Sequence, residues 1–100
     1  MELTIDEVKR RLKPVFQKAA LVRQVVLFGS IARGDASRGS DVDLVVDTGG
    51  EILGLPFYEL LYDVTEVLPD TRVEMFETCE IVPNSPIARN IENEGIVIYE

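Results

Sequence analysis

Histidine is absent from this chain, and cysteine occurs once, at Cys79. Without histidine, the side chain most often used as a proton acceptor near neutral pH is missing. Any acid–base chemistry therefore falls to carboxylates or to a bound metal. A single cysteine excludes an intrachain disulfide and fits the reducing cytoplasm. No apolar run approaches the length of a membrane span, and the mixed-charge, amphipathic N-terminal segment does not read as a signal peptide. Positive charge is scarce beyond residue 40. Residues 1–40 hold eight Lys or Arg against four acids, a net +4, whereas residues 41–100 hold two against fourteen, a net −12. With a net charge of −8, the chain is expected to bind neither nucleic acid nor membrane directly. Its 100 residues, 46% of them apolar, suffice for one small domain over residues 1–100 and leave little room for another module. There is no internal repeat and no low-complexity segment.

What the sequence does contain is concentrated between Val25 and Val46, VVLFGSIARGDASRGSDVDLVV. Val25 to Phe28 is β-branched and aromatic and ends at Gly29, which reads as a buried strand. Asp41 to Val46 reads as a second strand. Side chains along a strand alternate faces, so Asp41 and Asp43 point the same way. Two adjacent carboxylates repel unless a cation lies between them, and hard oxygen ligands of this kind suit Mg²⁺. Gly29-Ser30 stands where a strand ends and a short helix begins. The free amides of that helix, with no Cβ at Gly29 to keep a phosphate from the backbone, read as an anion cradle. Arg33, one turn on, can share the face of Ser30 and meet phosphate oxygens, or pair with Asp35 on the surface. Ser40 either donates its hydroxyl to a phosphate or caps the turn before Asp41. No role is read for Arg38.

Gly29-Ser30, followed after ten residues by Asp41-x-Asp43, resembles the signature of the DNA polymerase β-like nucleotidyltransferase superfamily. The fuller pattern, G29-S30-x-A32-R33-G34 with S40-D41-x-D43-L44, looks like the minimal nucleotidyltransferase (MNT) family. Four fixed residues at that spacing arise by chance in roughly one chain of this length per thousand.

The remaining elements follow from periodicity and end signals. Thr4 and Glu7 form a capping box, and apolar residues at helical spacing from Ile5 to Ala19 predict an amphipathic helix over 5–19, kinked near Arg10 by Pro14. Thr48-Gly49-Gly50 predicts a loop. Pro56 opens a second helix, whose stripe runs from Phe57 to Leu68 and stops at Pro69-Asp70. Tyr58 and Tyr62, one turn apart, are available to a partner. Residues 72–77 alternate as a strand, with Val73 and Met75 on one face and Glu74 and Phe76 on the other. Ser85-Pro86 starts a last helix, Gly95 is its C′ residue, and residues 96–99 close the fold as a strand. The order is α-β-α-β-α-β-α-β, an α/β (α+β) arrangement. The family resemblance, which spans nearly the whole chain, implies a small mixed sheet with helices packed against it.

The resemblance further implies a metal-dependent transfer of a nucleoside monophosphate, AMP from ATP in the first instance, to an acceptor hydroxyl. Asp41 and Asp43 are then the metal ligands for a pair of Mg²⁺ ions. A third carboxylate from the later strand falls at Glu74, where the family more often has Asp; Glu77 is the alternative, on the opposite face. Gly29, Ser30, Arg33 and Ser40 are the candidate nucleotide-binding residues. Members of the family pair with HEPN-domain RNase toxins and act as antitoxins, adding AMP to a toxin tyrosine. That implies a HEPN-type partner and a hetero-oligomer, with homo-oligomers also open. Two other readings stand beside it: a non-catalytic module that masks its partner, and transfer to a small acceptor such as an antibiotic hydroxyl.

Overall fold

The computed structural model describes residues 3–36, 39 and 41–100. Helix α1 (Ile5–Lys18) starts at Thr4, whose hydroxyl accepts the Glu7 amide at 3.1 Å. This is half of the expected capping box; the Glu7 carboxylate turns instead to Arg11, 3.2 Å away. The helix continues as one element through Pro14, with Val8, Leu12 and Phe16 buried. Strand β1 (Gln24–Phe28) follows, then the single-turn helix α2 (Ser30–Arg33), strand β2 (Val42–Asp47), helix α3 (Leu55–Val67) and strand β3 (Val73–Glu77). A short 3₁₀ turn (Thr78–Glu80), helix α4 (Pro86–Glu94) and strand β4 (Ile96–Tyr99) complete the chain. The order expected from the sequence is found, with the 3₁₀ turn as an addition.

The four strands form one sheet in the order β3-β2-β1-β4. β1 runs antiparallel to both β2 and β4, whereas β2 and β3 are parallel. The sheet is therefore mixed, and its parallel pair is joined through α3, as such a crossover requires. One face of the sheet carries Val25, Leu27, Val42, Leu44, Val46 and Met75, packed with Val8, Leu12 and Phe16 of α1 and Phe57, Leu60 and Val64 of α3 in one core. Alternation fixes this face in each strand, and the intervening residues point the other way. Asp43, Glu74 and Phe76 are on that second face, which α4 covers in part through its contact with β1.

One turn residue behaves differently from expectation. Gly95 has φ −65° and is the cap of α4, not a left-handed C′ residue. Glycine is needed there for space: a Cβ would meet the Ile91 carbonyl oxygen and the Val26 side chain. Ser85 caps α4 as predicted, accepting the Ala88 amide at 3.2 Å.

Candidate active site

The two strand ends converge as period-two alternation requires. Phe28, the last residue of β1, is the cross-strand partner of Asp43, and Asp43 is in turn the partner of Glu74 on β3. Asp43 therefore stands in the middle of three strands, with Gly29 just beyond it on one side and Glu74 on the other. Asp41 precedes β2 on the same face. All four residues line one open cleft of about 460 Å³, together with Ser30, Arg33, Phe28 and Phe76.

Burial pushes the Asp43 carboxyl up first. The neighbouring charge of Glu74, a hydrogen bond shared with Glu74, and the charge of Asp41 raise it further, to about 6. A carboxyl so placed takes up a proton more readily than an ordinary aspartate, because its charged form is desolvated and faces other carboxylates. Arg72, at the mouth of β3 and 75% exposed, answers part of this charge. It approaches Asp41 at 3.9 Å and Glu74 at 3.7 Å, between the two acids. Glu74 is only half-buried, with a side chain 44% exposed, so its position costs less than a fully enclosed strand interior.

Among the described residues, no three side chains of His, Cys, Asp or Glu stand close enough together to enclose a metal ion as placed. The Arg72 guanidinium is the cation that Asp41 and Glu74 face. The donor set itself suits a hard divalent cation: Asp41, Asp43 and Glu74 present oxygens to one cleft, and the raised Asp43 marks where positive charge is wanted.

Glu77 is not part of this cleft. It is buried, 1% exposed, on the core face of β3. Burial pushes its carboxyl up, but the amide of Cys79 and the hydroxyl and amide of Thr48 outweigh that and bring it down to about 2. The Thr48 amide, the Thr48 hydroxyl and the Gly50 amide donate to Oε2 at 2.8, 2.6 and 3.1 Å, and the Cys79 amide donates to Oε1 at 2.6 Å. Glu77 thus fastens the Thr48-Gly49-Gly50 loop to the end of β3.

The Gly29 corner, where the sequence predicts a phosphate cradle, lies against Asp43 and Glu94. Gly29 has φ +82°, and a Cβ there would strike the carboxylate of Asp43. The absent side chain leaves room for the Asp43 carboxylate. The Gly29 amide donates to Glu94 at 3.1 Å. Arg33 donates from Nε to Asp35 at 3.0 Å and from Nη1 to both oxygens of Glu94 at 3.1 Å. Asp35, then Glu94, raises the basicity of the guanidinium further. Ser40 and Arg38 lie outside the described residues.

Sequence reasoning missed the wall contributed by α4. Ile87, Asn90 and Glu94 line the cleft at spacings of three and four, one face of the helix. Arg72 was likewise unassigned. Nothing local marks these residues, because their role depends on where α4 and β3 come to rest. Tyr58 and Tyr62 are exposed on α3, as expected, beside exposed Leu55 and the exposed acids Glu59, Asp63 and Glu66. Among the described residues, no helix is long and apolar enough to cross a membrane.

The family described as "Polymerase beta, Nucleotidyltransferase" matches residues 10–100. The chain is 31% identical over 99 residues to the protein adenylyltransferase MntA of Thermococcus cleftensis, covering 96% of this chain and 97% of that protein. In structure it is similar to a chain of a toxin–antitoxin complex solved with AMP-PNP, with a TM-score of 0.76 and 17% identity over 91% of this chain and 72% of the other. A second likeness is to a chain of the complex between a tri-AMPylated HEPN toxin of Shewanella oneidensis and its MNT antitoxin. Here the TM-score is 0.71 and the identity 13%, over 96% of this chain and 72% of that one. At these identities the structural likeness is one of fold.

Proposed function

The chain belongs to the polymerase beta nucleotidyltransferase family, and from that premise we propose that it is a metal-dependent protein adenylyltransferase acting as an antitoxin. It transfers AMP from ATP to a hydroxyl, a tyrosine of a HEPN-type RNase partner, and pyrophosphate leaves. One observation carries the reading: Asp43 stands between Glu74 and the Gly29 corner, in a cleft that also holds Asp41, Ser30 and Arg33.

Asp41, Asp43 and Glu74 are the residues that would hold Mg²⁺, one ion or two. A metal held there would supply positive charge to neutralise the triphosphate and to orient the α-phosphate toward the acceptor. The chain's own residues do the rest. Asp43, on the middle one of the three strands, would be the central ligand of the set. Ser30 and Arg33, with the Gly29 amide and Ser40, hold the triphosphate tail. Glu74, half-exposed at the rim, receives the proton of the acceptor hydroxyl, a role open to a carboxylate in a chain without histidine. The acidic, tyrosine-bearing face of α3 attracts a basic protein partner and repels RNA. The relatives' names support the acceptor class: the Thermococcus cleftensis protein is a protein adenylyltransferase, and the Shewanella oneidensis complex contains an AMP-modified toxin. The lone free thiol, Cys79, fits a cytoplasmic setting.

The test is incubation with ATP, Mg²⁺ and the partner protein encoded beside it. Mass spectrometry should show AMP added to a partner tyrosine, lost in Asp41→Asn. Neutralisation of the partner without a change in its mass, intact in Asp41→Asn, would support the masking module instead.

A further inference from the structure

Glu94 is the last residue of α4. A carboxylate at a helix C-terminus faces the negative end of the helix dipole, so helix stability alone does not favour it there. Its compensation comes from across the fold. Oε1 accepts the Gly29 amide at 3.1 Å, and both carboxylate oxygens accept from Arg33 Nη1 at 3.1 Å. The Glu94 side chain is 15% exposed although its arginine partner is 44% exposed. The end of α4 is also held close, because Gly95 packs against Ile91 and Val26 with no room for a side chain. The carboxylate is thus built into the cleft rather than resting at its edge.

The two donors that Glu94 engages are two of those that the proposed function assigns to the triphosphate tail. A carboxylate and a phosphate are both oxygen anions, and both take charge-assisted hydrogen bonds from a guanidinium and a backbone amide. They cannot occupy the same donors together, and at close range their charges repel. Resting on that reading of the cleft, we propose that Glu94 sets the affinity of the site for a nucleoside triphosphate: its carboxylate is the resident occupant of the Arg33–Gly29 donor pair, and nucleotide binding displaces it. The opposite role, a permanent strut that aims Arg33 at the phosphates, makes the opposite prediction for a neutral replacement.

The experiment is calorimetric titration of the full chain with a non-hydrolysable ATP analogue in the presence of Mg²⁺. It uses the wild type, Arg33→Ala, Glu94→Gln and the double variant, each first shown to be folded by thermal melting. Arg33→Ala should weaken binding, and Glu94→Gln should tighten it by on the order of tenfold, the scale of one charge-assisted hydrogen bond released from competition. In the Arg33→Ala background that gain should shrink. Binding that depends on Arg33 but is unchanged or weakened by Glu94→Gln overturns the displacement and leaves the site reading intact. Wild-type binding indifferent to Arg33→Ala overturns the site reading, and the proposal with it. Should Glu94→Gln not fold, amide spectra of the wild type decide: the Gly29 amide resonance should move as the analogue is added, and an unmoved resonance at saturation overturns the displacement.

Discussion

Asp43 and Glu74 lie opposite one another on the parallel strands β2 and β3, and burial together with the charge of Glu74 raises the Asp43 carboxyl to about 6. The ordinary value for Asp43 is 3.8. Between about pH 4 and pH 6 the folded chain therefore binds more protons at this site than the unfolded chain does, and Asp43 makes stability fall as pH rises through that window. Because water reaches the cleft, the effect is discounted to roughly 1 kcal/mol. Urea melts of metal-free protein should show this slope in the wild type relative to Asp43→Asn, which should melt at an equal or higher temperature above pH 6. Identical pH slopes for the two proteins would contradict the raised Asp43 carboxyl.

Glu74 and Glu77 should separate cleanly, though they sit three residues apart. Glu77→Gln removes the charge and turns one of the two oxygens that accept from Thr48, Gly50 and Cys79 into a donor that faces their N–H groups, and should cost about 3 kcal/mol of stability. The Glu77 carboxyl is lowered from 4.5 to about 2, so its stabilisation is present above pH 4.5 and is lost as pH falls toward 2. Glu74→Gln should leave the melting temperature near wild type while slowing transfer severely and sparing triphosphate binding. Equal destabilisation by the two changes would contradict the division between core and cleft.

Gly29→Ala should be damaging for two reasons that can be told apart. The positive φ costs about 1 kcal/mol or more for any side chain, and the new Cβ displaces the Asp43 carboxylate. Metal-ion titration should therefore show weakened binding beyond what the loss of stability explains. Placing Gly29→Ala in an Asp43→Ala background should recover part of the lost stability, because the clash is gone and the backbone strain remains. No recovery would mean that strain alone accounts for the variant.

Association with a basic partner should depend on salt. Glu59, Asp63 and Glu66 are exposed on α3 beside Tyr58 and Tyr62, which are 66% and 62% exposed. Stopped-flow association rates should fall steeply between low and physiological ionic strength, and Glu59→Lys with Asp63→Lys should reduce them further. Rates indifferent to salt and to both charge reversals would place the docking surface elsewhere.

The sequence by itself determined the elements and much of the cleft. Alternation in Asp41 to Val46 forces Asp41 and Asp43 onto one face, and the same rule in Arg72 to Glu77 puts Glu74, not Glu77, on the face opposite the core. Local signals of this kind survive folding because they arise from the strand geometry of a few residues. Tertiary structure decided what those residues meet. Strand register brought Glu74 level with Asp43. The placement of Arg72 between two acids, the buried knot around Glu77, and the arrival of Glu94 at Gly29 and Arg33 join residues up to 65 positions apart. Gly29 shows the division at one residue. The sequence marked it as a glycine open to a phosphate, and the fold sets the Asp43 carboxylate against it, a neighbour that no local pattern showed. Such pairings depend on how the sheet and α4 pack together, which no local pattern records.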